Sequence, residues 1–185
     1  ILFLLLAAMA LPAAAKTLDS VYTDLDFDRC TEAPGGSDGG PGILKCEGLE
    51  GLPVFISESD LRFVVGFGPE PGRQCSFSQT FRDFNAPGRT VEWRLRDRIP
   101  FATILRWSLH RGDGKITKSW LGVTRLGPPD TCHTAYVEGS SPEANALARK
   151  YADEFARGFD CRKDKPDVSL KIAGGAAEGL PDPCR

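Results

Sequence analysis

The sequence holds only two histidines, His110 and His133, and its six cysteines include no Cys-x-x-Cys pair. A histidine base needs an oriented partner, and nothing in the spacing around either ring supplies one. Both are expected as ordinary surface or rim residues. Without Cys-x-x-Cys, neither a thioredoxin-like redox pair nor a zinc knuckle is supported. No phosphate loop, metal-ligand cluster or nucleophile–base–acid set stands out, so no cofactor and no metal are expected. Internal repeats and interdomain linkers are also missing. A charged content of 26% and an aromatic content of 9% exclude a disordered chain, a collagen and a polytopic membrane protein.

Charge is absent from the first fifteen residues, ILFLLLAAMALPAAA. That run is shorter than the roughly 20 apolar residues a membrane helix needs, and it lacks a stop-transfer pattern. It ends in Ala13-Ala14-Ala15 before Lys16, an A-x-A type cleavage box. Residues 1–15 therefore predict a signal peptide with a truncated basic n-region. Residues 16–185 suit one globular domain with no transmembrane segment after cleavage. No cysteine lies near the cleavage box, which argues against a lipid anchor.

Cys30, Cys46, Cys75, Cys132, Cys161 and Cys184 make an even set in an exported chain, the pattern of structural disulfides. Local geometry favours one pairing. Cys30 and Cys46 bracket the Gly/Pro segment 33–42. Cys132 opens a strand, and Cys161 follows a helix that runs back along it. Cys75 and Cys184 are left for each other. Each bridge is worth roughly 2–4 kcal/mol, mostly by restricting the unfolded chain.

Several segments alternate with the period of half-buried strands. Val91, Trp93 and Leu95 oppose Glu92, Arg94 and Arg96; Leu61, Phe63, Val65 and Phe67 share a face; Cys75, Phe77 and Phe81 share another. Thr103, Leu105, Trp107 and Leu109 lie opposite Ile104, Arg106, Ser108 and His110. Gly112-Asp113-Gly114 marks a hairpin between 102–110 and 115–126. Leu25 and Phe27, 42–47, 132–137 and 168–172 add further strands. One helix is expected from Ser141 onwards, with Pro142 as its first residue and Glu143 in its first turn. Its apolar stripe is Ala144, Leu147, Ala148, Tyr151, Phe155 and Phe159, with Asn145, Arg149, Lys150, Asp153 and Arg157 facing outwards. The fold class is α+β: a mostly antiparallel sheet in a meander, with one C-terminal amphipathic helix packed on it, held by disulfides.

Three short patterns carry chemistry elsewhere. Gly35-Gly36-Ser37-Asp38-Gly39 matches G-x-S-x-G, but Pro34 and Gly40-Pro41-Gly42 leave no helix for a nucleophile elbow, so a surface loop is expected. Asp24, Asp26 and Asp28 alternate, placing three carboxylates on one face of a strand. A calcium loop would need Gly and Glu where Arg29 and Gly35 stand. An outer polar edge is the plain reading; the sharper one is a low-affinity cation site or an acid pair that cleaves carbohydrate. Arg111-Gly112-Asp113 falls at the expected hairpin tip, where a turn wants Gly and Asp in any case.

Charge is unevenly spread. Residues 16–60 hold 3 basic and 10 acidic residues, and residues 82–125 hold 10 basic and 4 acidic. One outcome is pairing of the basic sheet with the acidic N-terminal part. The other is a basic face of Arg94, Arg96, Arg98, Arg106 and Lys118 that meets an anionic envelope component or an acidic protein. Nucleic acid does not suit an exported chain with a slightly acidic isoelectric point.

Tyr22 to Cys30 (YTDLDFDRC), Pro100 to Trp107 (PFATILRW) and Cys132 to Val137 (CHTAYV) together resemble small exported proteins of Gram-negative bacteria that carry no assigned function. The resemblance implies a periplasmic setting and brings no catalytic residue with it. The expectation is an exported, periplasmic or secreted protein that acts as a non-enzymatic binding or inhibitory module. Its basic sheet face or hairpin tips would contact the partner. The alternative is a hydrolase of cell-wall glycan with acids among Asp24, Asp26 and Asp28.

Overall fold

A computed structural model describes residues 17–34, 42–128, 130–169 and 179–184. The expected leader, the loop around Ser37 and the last residues of the expected 168–172 strand lie outside them.

The strands are β1 (Leu18–Asp24), β2 (Thr31–Glu32), β3 (Ile43–Leu49), β4 (Leu52–Ser59), β5 (Arg62–Phe67), β6 (Phe84–Arg96), β7 (Ile99–His110), β8 (Ile116–Arg125), β9 (Cys132–Glu138) and β10 (Asp167–Ser169). The helix α1 spans Ala144–Phe155. The strands divide between a six-stranded sheet, in the order β1-β6-β7-β8-β9-β10, and a four-stranded sheet, β2-β3-β4-β5. Every ladder is antiparallel except β10 on β9.

Tight turns explain the meander. Glu50 and Gly51 join β3 to β4, Asp60 and Leu61 join β4 to β5, and Asp97 and Arg98 join β6 to β7. All six have positive φ, the conformation whose twist suits a two-residue hairpin. Arg98 therefore sits at a hairpin tip, not on a strand face. Gly48 serves a second need, at the register shift between Cys46 and Leu49 in the β3–β4 ladder. A Cβ there would stand 2.1 Å from the Leu52 carbonyl oxygen.

The alternation of β6 and β7 becomes two interfaces. Val91, Trp93, Leu95, Leu105, Trp107 and Leu109 bury against Val54 and Ile56 of β4 and Val65 and Phe67 of β5. Phe67 meets Trp93 edge-on, with ring centroids 5.8 Å apart. On the other face, Ala102, Ile104, Leu121, Val123, Ala135 and Val137 receive α1.

The helix departs from its expected stripe. Its buried line is Ala144, Ala148 and Ala152, continued by Ala156. Residues four apart share a helix face, and a row of methyl groups lets that face lie close on the sheet. Leu147 and Tyr151 pack at the edge of the contact, while Phe155 is exposed. The helix begins at Ala144 rather than Pro142, with no side-chain cap: residues 141–143 form the turn before it, where the Ser141 hydroxyl accepts from the Glu143 N–H at 3.2 Å.

Two expected strands are 3-10 turns instead. Cys75–Ser78 forms one, because Ser76 is buried and its N–H donates to the Thr131 carbonyl at 2.9 Å rather than to a ladder. Phe27–Arg29 forms the other, capped by Asp26.

The bridges are Cys30–Cys46, Cys75–Cys184 and Cys132–Cys161, the pairing that chain proximity favoured. Among the described residues no helix is long and apolar enough to cross a membrane.

Candidate functional site

The helix decides the fate of the basic strand. Glu92, Arg94 and Arg96 alternate on the face that α1 covers, so they are not an open cationic surface. Arg94 is buried and holds Asp153 with two hydrogen bonds, Nε to Oδ1 at 2.9 Å and Nη2 to Oδ2 at 2.7 Å. Its Nη1 donates to the Ser20 hydroxyl at 2.6 Å. Glu92 is buried and accepts from Arg149 at 2.6 and 3.2 Å. Arg149 also donates to the Tyr22 hydroxyl at 2.8 Å. Its carboxylate partner favours the charged form and holds the guanidinium above its ordinary value, with burial opposing.

Arg96 lies over the Phe101 ring at 5.7 Å and donates to the Asp153 carbonyl at 3.4 Å. Arg106 donates to the Ser119 hydroxyl and the Gly139 carbonyl, both at 3.0 Å. Thus Arg94, Arg96 and Arg106 bind the fold to itself, and Arg98 lies at the β6–β7 tip. The expected basic face is corrected accordingly. Internal pairing wins: the buried carboxylates are Glu92 of β6 and Asp153 of α1, and from the acidic N-terminal part Asp26 pairs with Arg89 of β6 at 3.5 Å. Arg149 and Asp153, expected to face outwards, are half of that network.

The remaining residue of the expected set, Lys118, opens another site. Phe84 of β6 pairs with His110 of β7, next to the β7–β8 hairpin. There the surface forms a groove of about 470 Å³. Arg62 and Arg82 line one side, and Arg111 and Lys118 come from the hairpin. Among the described residues of its lining, Asp83 is the one carboxylate. Arg62 is fixed: it stacks over Phe84 at 5.1 Å, donates to the Arg82 carbonyl at 2.8 Å and pairs with Asp60. Arg82 pairs with Asp182 at 3.3 Å. Arg111 and Lys118 are exposed, and neither pairs with a carboxylate among the described residues. The groove therefore offers two guanidinium groups already in ion pairs beside two cations free to take an anion.

Arg111-Gly112-Asp113 does occupy the hairpin tip. There Asp113 accepts from the Lys115 N–H at 3.0 Å, and Gly114 has φ 78°. His110 reaches the Gly114 carbonyl at 3.3 Å on the wall of the groove.

A mixed cleft of about 760 Å³ sets Arg73 and Arg162 against Glu70 and Asp130, so it has no net sign. Another, about 710 Å³, adjoins the start of α1 and is largely apolar.

The three aspartates do not share a face. β1 ends at Asp24, Asp26 turns back to cap the Asp28 N–H at 3.2 Å, and Asp26 pairs with Arg89 at 3.5 Å. Strand alternation, on which that reading rested, stops before the second carboxylate.

His133 is not a rim residue. It is buried, with Nδ1 sharing a hydrogen bond with the Tyr136 hydroxyl at 2.7 Å. Its backbone N–H donates to Gln79 Oε1 at 2.8 Å. Burial lowers its pKa to about 4, so the ring is neutral near pH 7. Burial pushes the Tyr136 phenol up.

No protein-family model, curated protein or solved structure matches this chain.

Proposed function

We propose that this is an exported, periplasmic or secreted binding or inhibitory module with no enzymatic role. It holds an anionic envelope component, or the acidic face of a protein, in the groove between Arg62, Arg82, Arg111 and Lys118. One observation carries the reading: Arg111 and Lys118 reach a concave site with no carboxylate partner among the described residues. Elsewhere on the large sheet the arginines are consumed by ion pairs and carbonyls. A site that leaves two of its four cations unpaired favours a ligand that supplies the negative charge.

The three disulfides support the compartment. Such bridges persist where the surroundings are oxidising, and a domain of this size gains from them. The hydrolase reading draws no support from the geometry, because Asp24, Asp26 and Asp28 diverge.

The test uses heparin as a soluble polyanion and vesicles carrying lipopolysaccharide, titrated against the folded domain. Association is expected to weaken about tenfold as ionic strength rises from about 0.05 to about 0.5 M. Joint Arg111→Ser and Lys118→Ser changes should cost at least as much, while Arg98→Ser at the opposite hairpin tip should cost nothing. Equal binding by both variants, or binding indifferent to salt, would remove the groove as the site. Capture of an acidic protein with neither polyanion bound would move the ligand to the protein class.

A further inference from the structure

Two disulfides meet inside this protein. Cys75–Cys184 and Cys132–Cys161 share one apolar cluster with Phe159. The Sγ atoms of Cys132, Cys161 and Cys184 all lie within 4.8 Å of one another. Cys184 therefore stands beside both sulfurs of a bridge to which it does not belong. Access to the two bridges differs. Cys132 and Cys161 are 0% and 4% exposed, whereas Cys75 and Cys184 are partly exposed. A reductant from solution meets the outer bridge first.

Exchange needs a thiolate next to a disulfide sulfur, and its rate depends on access and on the local concentration of the attacking thiol. Both conditions are built here. The tail that carries Cys184 is held by bonds that involve no sulfur. The Arg82 N–H donates to the Gly179 carbonyl at 2.9 Å, Gln79 Nε2 donates to the Asp182 carbonyl at 3.2 Å, and Pro181 is buried. Opening the outer bridge leaves these contacts in place, so the freed sulfur stays beside the inner one.

We infer that Cys184 is an exchange thiol that passes the opening of the outer bridge to the inner one. An external dithiol gives two electrons to Cys75–Cys184, becomes a disulfide itself and leaves Cys75 and Cys184 as thiols. The Cys184 thiolate then forms a bond to Sγ of Cys132 or Cys161. The Cys132–Cys161 bond breaks, and the displaced sulfur keeps the electron pair and takes up a proton. This second step moves no net electrons. It yields a bridge from Cys184 to one inner cysteine and thiols on Cys75 and on the other. The inference goes beyond the binding role and does not depend on the groove.

The Cys75→Ser variant isolates the step, because it leaves Cys184 as a permanent thiol and needs no reductant. The folded variant is held near pH 8, close to the ordinary thiol pKa of roughly 8.5. It is then quenched with acid, unfolded, alkylated and mapped by mass spectrometry. The label is expected on Cys184 and also on Cys132 or Cys161, the exchanged form being about a tenth of the molecules or more. Label confined to Cys184 would overturn the inference. In Cys184→Ser the label should stay on Cys75, and its spread to the inner pair would equally count against Cys184. Wild-type protein treated with limiting dithiothreitol gives a check that needs no variant. Its two-thiol species should carry thiols on Cys75 and one inner cysteine. Thiols on Cys75 and Cys184 alone, at every time, would end the proposal.

Discussion

Arg94 of β6 and Asp153 of α1 face each other as a two-pronged ion pair, at 2.9 and 2.7 Å, with side chains 8% and 20% exposed. Two residues earlier on the strand, Glu92 meets Arg149, four residues earlier on the helix, at 2.6 Å. The signs cross: acid then base on the strand, base then acid on the helix. A one-turn slip of the helix would set like charges together, so the two pairs define its register.

Removing one partner strands a charge. Asp153→Ala is expected to cost about 3–5 kcal/mol, because it leaves Arg94 buried and unpaired. Joint Arg94→Met and Asp153→Leu should recover most of that loss, since a packed apolar pair avoids the desolvation cost. Urea unfolding of the three proteins checks this. Recovery in the double variant is the deciding result.

His133 makes stability fall in acid. Its folded pKa of about 4 lies below the unfolded value of 6.5, so the unfolded chain takes up the proton first. The contribution is fully present above pH 6.5 and is lost as pH falls through the window down to about 4. The loss across that window is about 3 kcal/mol. His133→Gln should be less stable at neutral pH and should flatten this part of the profile. Unfolding free energies measured across the window supply the comparison, and an unchanged slope in the variant would discard the assignment.

At the β3–β4 bulge, Gly48→Ala should cost about 3 kcal/mol or more by thermal unfolding. The added methyl would meet the Leu52 carbonyl oxygen at 2.1 Å and the Trp93 ring at 3.0 Å. Gly112→Ala, where nothing lies within 4 Å, is the matched control and should change little.

The β6–β7 turn offers the opposite sign. Arg98 has φ 68° and Asp97 φ 52°, a backbone that costs a side chain and suits Asn-Gly. Replacing the pair by Asn-Gly is expected to raise stability by about 1 kcal/mol. Binding of polyanions should not change, because this tip is not part of the groove.

Much of the scaffold was legible in the residues. Alternation located β5, β6 and β7, and the Gly112-Asp113-Gly114 turn located β8. The cystine pairs followed from which chain ends a loop or a helix brings together. Glycine and proline marked the breaks. Two of the departures share one cause. Glu92, Arg94 and Arg96 looked like a solvent face because polar side chains usually seek water. A helix carrying Arg149 and Asp153 at matching spacing buried that face by pairing its charges. The same helix turned its alanines inwards and left Phe155 exposed, because close approach to the sheet outweighed burial of one more ring.

What the order of residues determined by itself was local: period, turn, bridge and the sign of charge along each strand. Which sheet face met the helix, and which cations remained unpaired beside Lys118, was settled only in three dimensions. A charge is neutralised by neighbours in space, and those neighbours lie tens of residues away along the chain.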